Sequence, residues 1–333
     1  MKFGFVPRRL MGIDEDIDLS RPFDEWIKDL ETLIKTAEKA GFEFMAMASM
    51  QSLPYLARYA AIPTKLRFAN ETLTLPMLDP VQLAPAVAHV DRMLGGRLDF
   101  GVSIGFQQWD LEAAGITRKD RVPKFMESIE VIKAMWTQDE VSYHGKYFDF
   151  EGLRPGVKPY QQPHPPIIVS SQAHGSAARA GRMADGLCVA PAVGHDDCIA
   201  LCKTFREAYL ETHNEEPTIV GARRHVMIGK DPEDGTRKAK SEQYFQFGPD
   251  HRYVRGRMQE STTVRLRLTP GAGDAQEFAF CGNYQQVAEG LARVRDEAGL
   301  THVTCSFIGA PESFSARLEY LQGFGEEVIL KLR

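Results

Sequence analysis

One stretch of the sequence combines hydroxyl groups, glycine and a helical pattern in the way that anion sites do. The segment SSQAHGSAARAGRMADG, residues 170–186, follows an apolar run that ends at Ser170 and Ser171, and an alanine-rich helical pattern begins near Ser176. Exposed backbone amides, these hydroxyls and the positive end of the helix would together bind an anion, and phosphate is the best candidate. The alternative is that Ser176 only caps the helix.

Such a site requires strand ends to position it, and the chain contains a regular series of them. Eight apolar strand-like runs alternate with amphipathic helical patterns along the sequence. This pattern predicts an α/β fold in which residues 1–333 form one domain, a single (β/α)8 TIM-like barrel. The predicted strands are residues 2–7, 42–48, 65–75, 97–105, 165–171, 186–191, 217–229 and 302–309.

Two segments interrupt this repeat. Residues 141–152, VSYHGKYFDFEG, indicate a β-hairpin-like insertion after the fourth helix. The stretch from about 248 to 280, between the seventh and eighth strands, is polar, rich in arginine and punctuated by glycine. Long loops inside compact domains are usually functional or mobile, so we interpret this stretch as a lid near the barrel mouth.

Composition argues against several classes of protein. The net charge is −5 and no long Lys/Arg run occurs, which argues against nucleic-acid binding. The sequence has no apolar run of about 20 residues, so we expect no membrane span. The first 20 residues have too short an apolar stretch and too many acidic residues for a secretory signal. Five cysteines do not suggest a disulfide framework, and we expect a cytoplasmic protein. Cys188, His195, Cys198 and Cys202 match no standard zinc spacing, so buried thiols are expected rather than a metal site.

Four stretches resemble, in order and spacing, the bacterial luciferase-like flavin-dependent monooxygenase family. Residues 64–105 contain a third strand, a helix with the pattern DxxxxGR and a fourth strand ending in GVSIG. Residues 121–167 contain an arginine-led helix, a GKYF hairpin and a proline-rich run into the fifth strand. Residues 170–186 match the flavin-phosphate element, and residues 281–303 match the last helix and strand.

The resemblance implies a barrel that binds reduced FMN, or a deazaflavin coenzyme, at its strand ends. By position, Glu71–Thr72 falls where members often have a non-prolyl cis peptide under the isoalloxazine ring. Ser103 falls where many members place a small residue against that ring. Ser103 to Gln107 would then form one wall of the flavin pocket, or alternatively only end the fourth strand.

The resemblance therefore yields a set of candidate site residues. The candidate cofactor-binding residues are Glu71, Thr72, Ser103, Gln107, Ser171, Gln172, His174, Gly175 and Ser176. His174 would either donate to the phosphate or face solvent. Glu71, a carboxylate at a strand end, and His195, an imidazole near the mouth, are the candidate catalytic residues, although Glu71 could equally be a salt-bridge partner.

The end of the second strand departs from the family. Many members have an acid followed by histidine there, whereas this chain has Ser49 and Met50. This difference weakens the prediction of a deazaflavin-dependent reaction, which generally uses such a polar pair. Met45, Met47 and Met50 would form a soft, apolar pocket wall, or they belong to the core.

The resemblance implies a two-component enzyme, a homodimer in many members. It would take reduced FMN from a partner flavin reductase and use O2 to oxygenate a small, hydrophobic organic substrate. Two other functions stay open on the same fold: a deazaflavin-dependent oxidoreductase, and a non-catalytic flavin-binding barrel. The sequence does not identify the substrate.

Overall fold

The computed structural model describes residues 1–12, 22–47, 52–105, 108–241 and 275–333. Nine of its strands form one sheet in the order β10-β9-β11-β1-β2-β3-β4-β7-β8, and β9 also pairs with β8. This last pairing closes the sheet into a TIM-like barrel, which confirms the predicted fold. The strands are β1 (Lys2–Phe5), β2 (Phe44–Met47), β3 (Arg67–Thr74), β4 (Leu98–Ser103), β5 (Val141–His144), β6 (Asp149–Leu153), β7 (Ile167–Ser171), β8 (Gly186–Val189), β9 (Ile219–Ile228), β10 (Ala279–Gly282) and β11 (His302–Phe307).

Helices alternate with these strands, as the apolar periodicity predicts. They are α1 (Phe23–Lys39), α2 (Ser52–Tyr59), α3 (Pro80–Met93), α4 (Gln108–Ala113), α5 (Arg121–Thr137), α6 (His174–Met183), α7 (His195–His213), α8 (Pro232–Ser241), α9 (Ala275–Phe278), α10 (Tyr284–Ala298), α11 (Phe314–Phe324) and α12 (Leu330–Leu332). None of the described helices is both long and apolar enough to cross a membrane. The chain divides into two compact units, one formed by Met1–Met47, Thr64–Leu66 and Ser171–Arg333, the other by Ala48–Pro63 and Arg67–Ser170.

In the first unit, one face of the sheet packs against helices. Phe5 on β1 pairs in register with Cys305 on β11 and with Met45 on β2, so these three side chains share a face. The ring of Phe5 contacts Phe42, whose ring stacks on Phe324 of α11. Met45 therefore lies on the helix-covered face and is fully buried. It belongs to the core, and the alternative of a methionine-lined pocket wall is wrong for this residue.

β10, a strand that the sequence did not predict, extends the sheet of this unit. β9 is ten residues long, and its first part pairs with β8 while its last part, His225–Ile228, pairs with β10. β10 therefore continues the sheet on the side of β9 where β8 ends. Residues 275–280 belong to α9 and β10, so the end of the predicted lid is regular structure, and residues 248–274 lie outside the described residues.

The predicted hairpin is present in the second unit. β5 and β6 pair antiparallel, and the turn between them is held by carboxylates from the region of α5. Glu127 accepts the backbone N–H groups of Lys146 and Tyr147 at 3.0 and 2.8 Å. Asp120 accepts the hydroxyl of Tyr147 at 2.6 Å. The GKYF motif thus attaches the hairpin to the preceding helix.

The aspartate of the DxxxxGR pattern anchors the proline-rich run before β7. Asp91 is fully buried and accepts the backbone N–H groups of Tyr160 and Gln161 at 2.8 and 2.9 Å. It also accepts the side-chain amide of Gln161 at 2.8 Å. A cis peptide bond joins Gln162 to Pro163 directly after this anchor. The motif therefore serves the fold, because a single buried carboxylate accepts three hydrogen bonds from this run.

Replacing Asp91 should destabilise the protein strongly. In the Asp91→Ala variant these three donors lose their acceptor, which should reduce the free energy of unfolding by about 3 kcal/mol. Urea denaturation would measure the change. Asp139→Ala is the matched control, since Asp139 is exposed, and it should change stability by no more than about 0.5 kcal/mol. Equal stability of the two variants would contradict the anchoring role.

Candidate functional site

A backbone irregularity marks the end of β3. The peptide bond between Glu71 and Thr72 is cis, at the place that the family resemblance implies. The pairing of β3 with β4 shifts there: Asn70 pairs with Phe100, and Leu73 pairs with Val102. β3 therefore contains one residue more than β4 over this interval, and its local hydrogen-bond ladder is interrupted.

The side chain of Asn70 bridges this interruption. Its amide donates to the carbonyl of Gly101 at 2.5 Å, and its oxygen accepts the N–H of Gly101 at 3.2 Å. Asn70 is fully buried, so both groups would otherwise lose their solvent partners. A Cβ atom placed on Gly101 would lie 1.9 Å from the carbonyl oxygen of Asn70, which excludes any larger residue.

The sequence analysis did not single out Asn70 or Gly101 as positioning residues. A signal was present, because an amide and a glycine each interrupt an otherwise apolar strand, and glycine inside a strand often marks close backbone approach. Together these two residues fix the backbone on which Glu71 and Thr72 are displayed.

Ser103 ends β4 next to the irregular part of β3. Its hydroxyl lies 3.5 Å from the hydroxyl of Thr74 and 3.4 Å from the N–H of Gly105. The guanidinium of Arg121 donates to the Gly105 carbonyl at 3.2 Å. Ser103 is partly exposed, as are Glu71 and Thr72. Gln107 lies outside the described residues, so its role stays a prediction.

The segment that we predict to bind an anion lies in the first unit. β7 ends at Ser171, whose buried hydroxyl donates to the Ala173 carbonyl at 3.1 Å. Helix α6 begins after Ala173, which offers no side-chain cap to the first amides of the helix. Ser176 lies inside the first turn and is buried, so the alternative that it is the capping residue is wrong. The residues before it, His174 and Gly175, are exposed.

Two charged or titratable side chains flank the start of α6. His174 is exposed, and its Nδ1 lies 2.7 Å from the hydroxyl of Thr204 on α7. Arg179, one turn along α6, reaches back to within 3.7 Å of the position a Cβ on Gly175 would occupy. Its Nε is buried without a hydrogen-bond partner among the described residues. Burial and then the nearby Arg182 lower the pKa of Arg179. Arg179 lies outside the set of site residues predicted from the sequence.

A polar cluster lies on the inner face of β9 and β11. The Nε of Arg223 donates to the hydroxyl of Ser306 at 2.6 Å. Register places Arg223 beside Thr304 and His225 beside Ser306. Phe307 follows Ser306 on β11, and its ring contacts Phe324 of α11 on the helix-covered face. Because successive residues of a strand alternate between the two faces, the side chains of this cluster point to the opposite face. Charged and polar residues within the apolar run 217–229 were the available signal, but the sequence analysis treated this run as strand interior.

His195 does not have the environment of an acid–base residue. Its ring stacks on that of Phe280, with centroids 4.2 Å apart and planes within 8°. The side chain is 8% exposed. Burial, followed by the charge of Arg224, lowers the pKa of His195 to about 3. The ring therefore stays neutral near pH 7 and packs α7 against β10. This environment gives no support to the predicted catalytic role, which stays a prediction.

The predicted buried thiols are found on α7. Cys198 and Cys202 are fully buried, one helical turn apart. Beside them is Arg224, also fully buried, which donates to the carbonyls of Val193 and Ala190 at 2.5 and 3.3 Å. Among the described residues, no group of three or more His, Cys, Asp or Glu side chains is arranged to hold a metal ion.

A sequence profile of the luciferase-like monooxygenases matches residues 11–325. The chain belongs to this family. The profile thus confirms the family that the sequence motifs imply. A similar curated protein is the FMNH2-dependent dimethylsulfone monooxygenase of Pseudomonas putida, 28% identical over 170 residues, which are 46% of each chain. An uncharacterised protein of Mycobacterium tuberculosis is 30% identical over 116 residues, which are 35% of this chain and 41% of that protein. The chain thus matches about half of the length of these relatives.

Solved structures show the same fold at low sequence identity. The monooxygenase RslO1 of Streptomyces bottropensis superimposes with a TM-score of 0.79 at 18% identity, covering 100% of both chains. The oxygenating constituent of 3,6-diketocamphane monooxygenase of Pseudomonas putida, in complex with FMN, gives 0.78 at 17% identity, covering 100% of this chain and 99% of that one. The coenzyme F420-dependent tetrahydromethanopterin reductase of Methanopyrus kandleri gives 0.74 at 18% identity, with coverages of 100% and 99%.

The contact between β3 and β4 predicts that Gly101 tolerates no side chain. Gly101→Ala should lower the free energy of unfolding by about 3 kcal/mol or more, because the new methyl group meets backbone that is fixed in two strands. Thermal and urea denaturation would measure it. Gly156→Ala is the matched control, since no other described residue beyond its chain neighbours has an atom within 4 Å of a Cβ placed there, and it should leave stability nearly unchanged. A tolerated Gly101→Ala would refute the close approach.

Two buried histidines predict a loss of stability in acid. Burial lowers the pKa of both His195 and His225. Because the unfolded chain binds protons on these rings below about pH 6.5, while the folded chain does not, their contribution to stability is complete above that pH. It is lost as the pH falls from there toward 3, by up to about 1.4 kcal/mol per pH unit for each ring.

Urea denaturation at several pH values between 7 and 4.5 would test this dependence. The His195→Gln variant should lose stability less steeply with falling pH than the unmodified protein does. His89→Gln, which replaces an exposed histidine of α3, should keep the original slope. Identical slopes for all three proteins would show that His195 is protonated in the folded state.

Proposed function

We propose that this protein is the oxygenating component of a two-component monooxygenase, which takes reduced FMN from a separate flavin reductase and uses O2 to oxygenate a small organic substrate. The observation that carries the proposal is the start of α6. The helix has no side-chain cap there, Ser176 is buried in its first turn, and the Arg179 guanidinium lies near Gly175. The name of the dimethylsulfone monooxygenase and the FMN complex of the diketocamphane enzyme support the choice of cofactor.

The residues at α6 fit a phosphate group. The buried Nε of Arg179 has no partner among the described residues, so it can donate to an added oxyanion. Apart from the local helix backbone, the Arg179 side chain is the only group of the described residues within 4 Å of a Cβ on Gly175, so an oxygen has room to approach the helix amides. The proposed phosphate residues are Ser171, Gln172, His174, Gly175, Ser176 and Arg179.

The proposed ring contacts lie at the ends of β3 and β4. Glu71, Thr72 and Ser103 are partly exposed there, and Gln107 follows in the sequence. The Asn70–Gly101 pairing holds this backbone, so the protein presents a preformed surface rather than a flexible loop. Bound reduced flavin would supply the electrons for O2 activation, while the protein orients it. Glu71 is the proposed carboxylate that holds or transfers a proton.

The inner face of β9 and β11 gives the proposed substrate a polar contact. Arg223 is partly exposed there, and it is joined to the buried hydroxyl of Ser306. An arginine held in this way can donate to an oxygen-rich group of a small molecule. Since Met45 faces the helices, one argument for a wholly apolar pocket is lost. We therefore propose a substrate that combines an organic body with an oxygen-bearing group.

The proposed reaction is tested with oxygen isotopes. The protein is supplied with FMN, NADH, a flavin reductase and ¹⁸O2, together with a panel of sulfones, sulfonates, ketones and aldehydes that includes dimethyl sulfone. We expect one ¹⁸O atom in a product, detected by mass spectrometry, and no product when FMN or the reductase is omitted. Added catalase controls for oxidation by free peroxide and should leave the product yield unchanged.

Two outcomes would contradict this proposal. Binding of reduced coenzyme F420 in preference to reduced FMN, measured anaerobically by calorimetry, would favour a deazaflavin-dependent oxidoreductase. Binding of reduced FMN without product from any member of the panel, also in single-turnover reactions, would favour a non-catalytic flavin-binding barrel.

A further inference from the structure

We propose that Cys198 is a thiolate in the folded protein and forms, with Arg224, a pH-sensitive ion pair that holds the segment between β8 and α7 in place. This pair lies within the first unit and involves no flavin, so it stands apart from the function proposed above. Three observations carry it: a buried positive charge, a thiol at the start of a helix, and the titratable groups around both.

The first observation is a positive charge that the fold does not neutralise. Arg224 on β9 is fully buried. Its terminal nitrogens donate to the carbonyls of Val193 and Ala190, and its Nε reaches no oxygen acceptor among the described residues. In the part of the chain that the structure describes, Arg224 forms no ion pair with a carboxylate. A buried guanidinium without a counter-ion costs free energy, so a neighbouring group that can become an anion is favoured to do so.

The second observation is the position of Cys198. This residue is fully buried in the first turn of α7, where its N–H donates to the carbonyl of Gly194 at 2.9 Å. Gly194 offers no side-chain cap to this turn, so the partial positive charge of the helix start is available to stabilise a thiolate. Arg224 binds the carbonyl of Val193, directly before Gly194. The guanidinium and the thiol therefore lie at the same end of the helix.

The third observation is that the other acidic groups near Arg224 do not serve as its counter-ion. Asp196 and Asp197 lie in the same turn of α7, but both are exposed. Asp196 pairs instead with Arg293 of α10 at 2.6 Å. Cys305 of β11 pairs in register with Arg224, but it is fully buried, and burial raises its pKa. Cys305 therefore stays a neutral thiol.

The two thiols of α7 differ in how easily they ionise. A hydrogen bond with Cys202 lowers the pKa of Cys198, and the charge of Arg224 and a hydrogen bond with it lower this pKa further, against the effect of burial. The hydrogen bond with Cys198, then burial and the charges of Cys198 and Cys188, raise the pKa of Cys202. Cys202 thus stays protonated and donates to the Cys198 sulfur. His195, the other titratable side chain buried in this turn, is neutral near pH 7.

The ion pair fixes residues 190–194, which join β8 to α7. Arg224 holds two carbonyls of this segment, and the N–H of Ala190 donates to the carbonyl of Ser171 at the end of β7, at 3.0 Å. Because the pKa of Cys198 is lower in the folded chain than the value of about 8.5 in the unfolded chain, the stabilisation is complete above that pH. It is lost as the pH falls through the folded value, and the segment then loosens.

The first test detects the thiolate directly, by the far-ultraviolet absorbance of the folded protein as a function of pH. We expect one thiolate to form below about pH 8.5, the pKa of a free cysteine. Cys198→Ser should abolish this step, whereas Cys305→Ser, the matched control, should retain it. Absence of the step in the unmodified protein, which needs no substitution, would overturn the proposal. Its retention in Cys198→Ser would assign the charge to another cysteine and would overturn it equally.

The second test compares two substitutions of equal size, Cys198→Asp and Cys198→Asn. Beside a buried cation a carboxylate is stabilised, whereas in an apolar site without one it is much less favourable than a carboxamide. At pH 7 we expect Cys198→Asp to unfold at a higher urea concentration than Cys198→Asn. Hydrogen exchange of residues 190–194, measured by mass spectrometry, should be several-fold slower in Cys198→Asp. Equal or reversed behaviour of the two variants would show that Arg224 needs no anion at this position.

Discussion

The pairing between the side chain of Asn70 and the backbone of Gly101 is the interaction on which the arrangement at β3 and β4 depends. A strand can hold an extra residue only if the polar backbone groups opposite it find other partners, because unpaired buried groups cost free energy. The carboxamide of Asn70 supplies both a donor and an acceptor to one residue. The absence of a side chain at Gly101 lets the two strands approach. Glu71, Thr72 and Ser103 consequently lie on paired strands rather than on a loop.

In the first unit, three arginines differ in the hydrogen-bond acceptors that surround them. Arg224 is fully buried and donates to two carbonyls, and Arg223 is held by a serine hydroxyl on the neighbouring strand. Arg179 has no such support, and it lies at a helix end that is itself positive. An unpartnered buried Nε costs free energy, and the phosphate proposed above would supply the acceptor that Arg179 lacks among the described residues. The chemistry of the proposed phosphate site follows from this asymmetry.

The sequence predicts the regular parts of the molecule because their signals are local. Apolar periodicity is sufficient for the eight predicted strands and for the hairpin, and motif order is sufficient for the family and for the location of Glu71–Thr72. Contacts between distant residues are not encoded in this way. β10 is only four residues long and follows a polar stretch. The importance of Asn70 depends on its contact with Gly101 in another strand. The neutral state of His195 depends on burial against Phe280 and on Arg224, which no motif reveals.

The length of β9 has a consequence for how firmly the polar cluster is held. This strand pairs with β8, β10 and β11, so separating it from the sheet would break three ladders at once. Segments whose opening disrupts many contacts open only with a large part of the global unfolding free energy, and their amide hydrogens exchange slowly. We therefore expect Arg223 and His225 to project from one of the most slowly exchanging parts of the described structure. Any ligand that they contact is met by groups whose positions are fixed before it arrives.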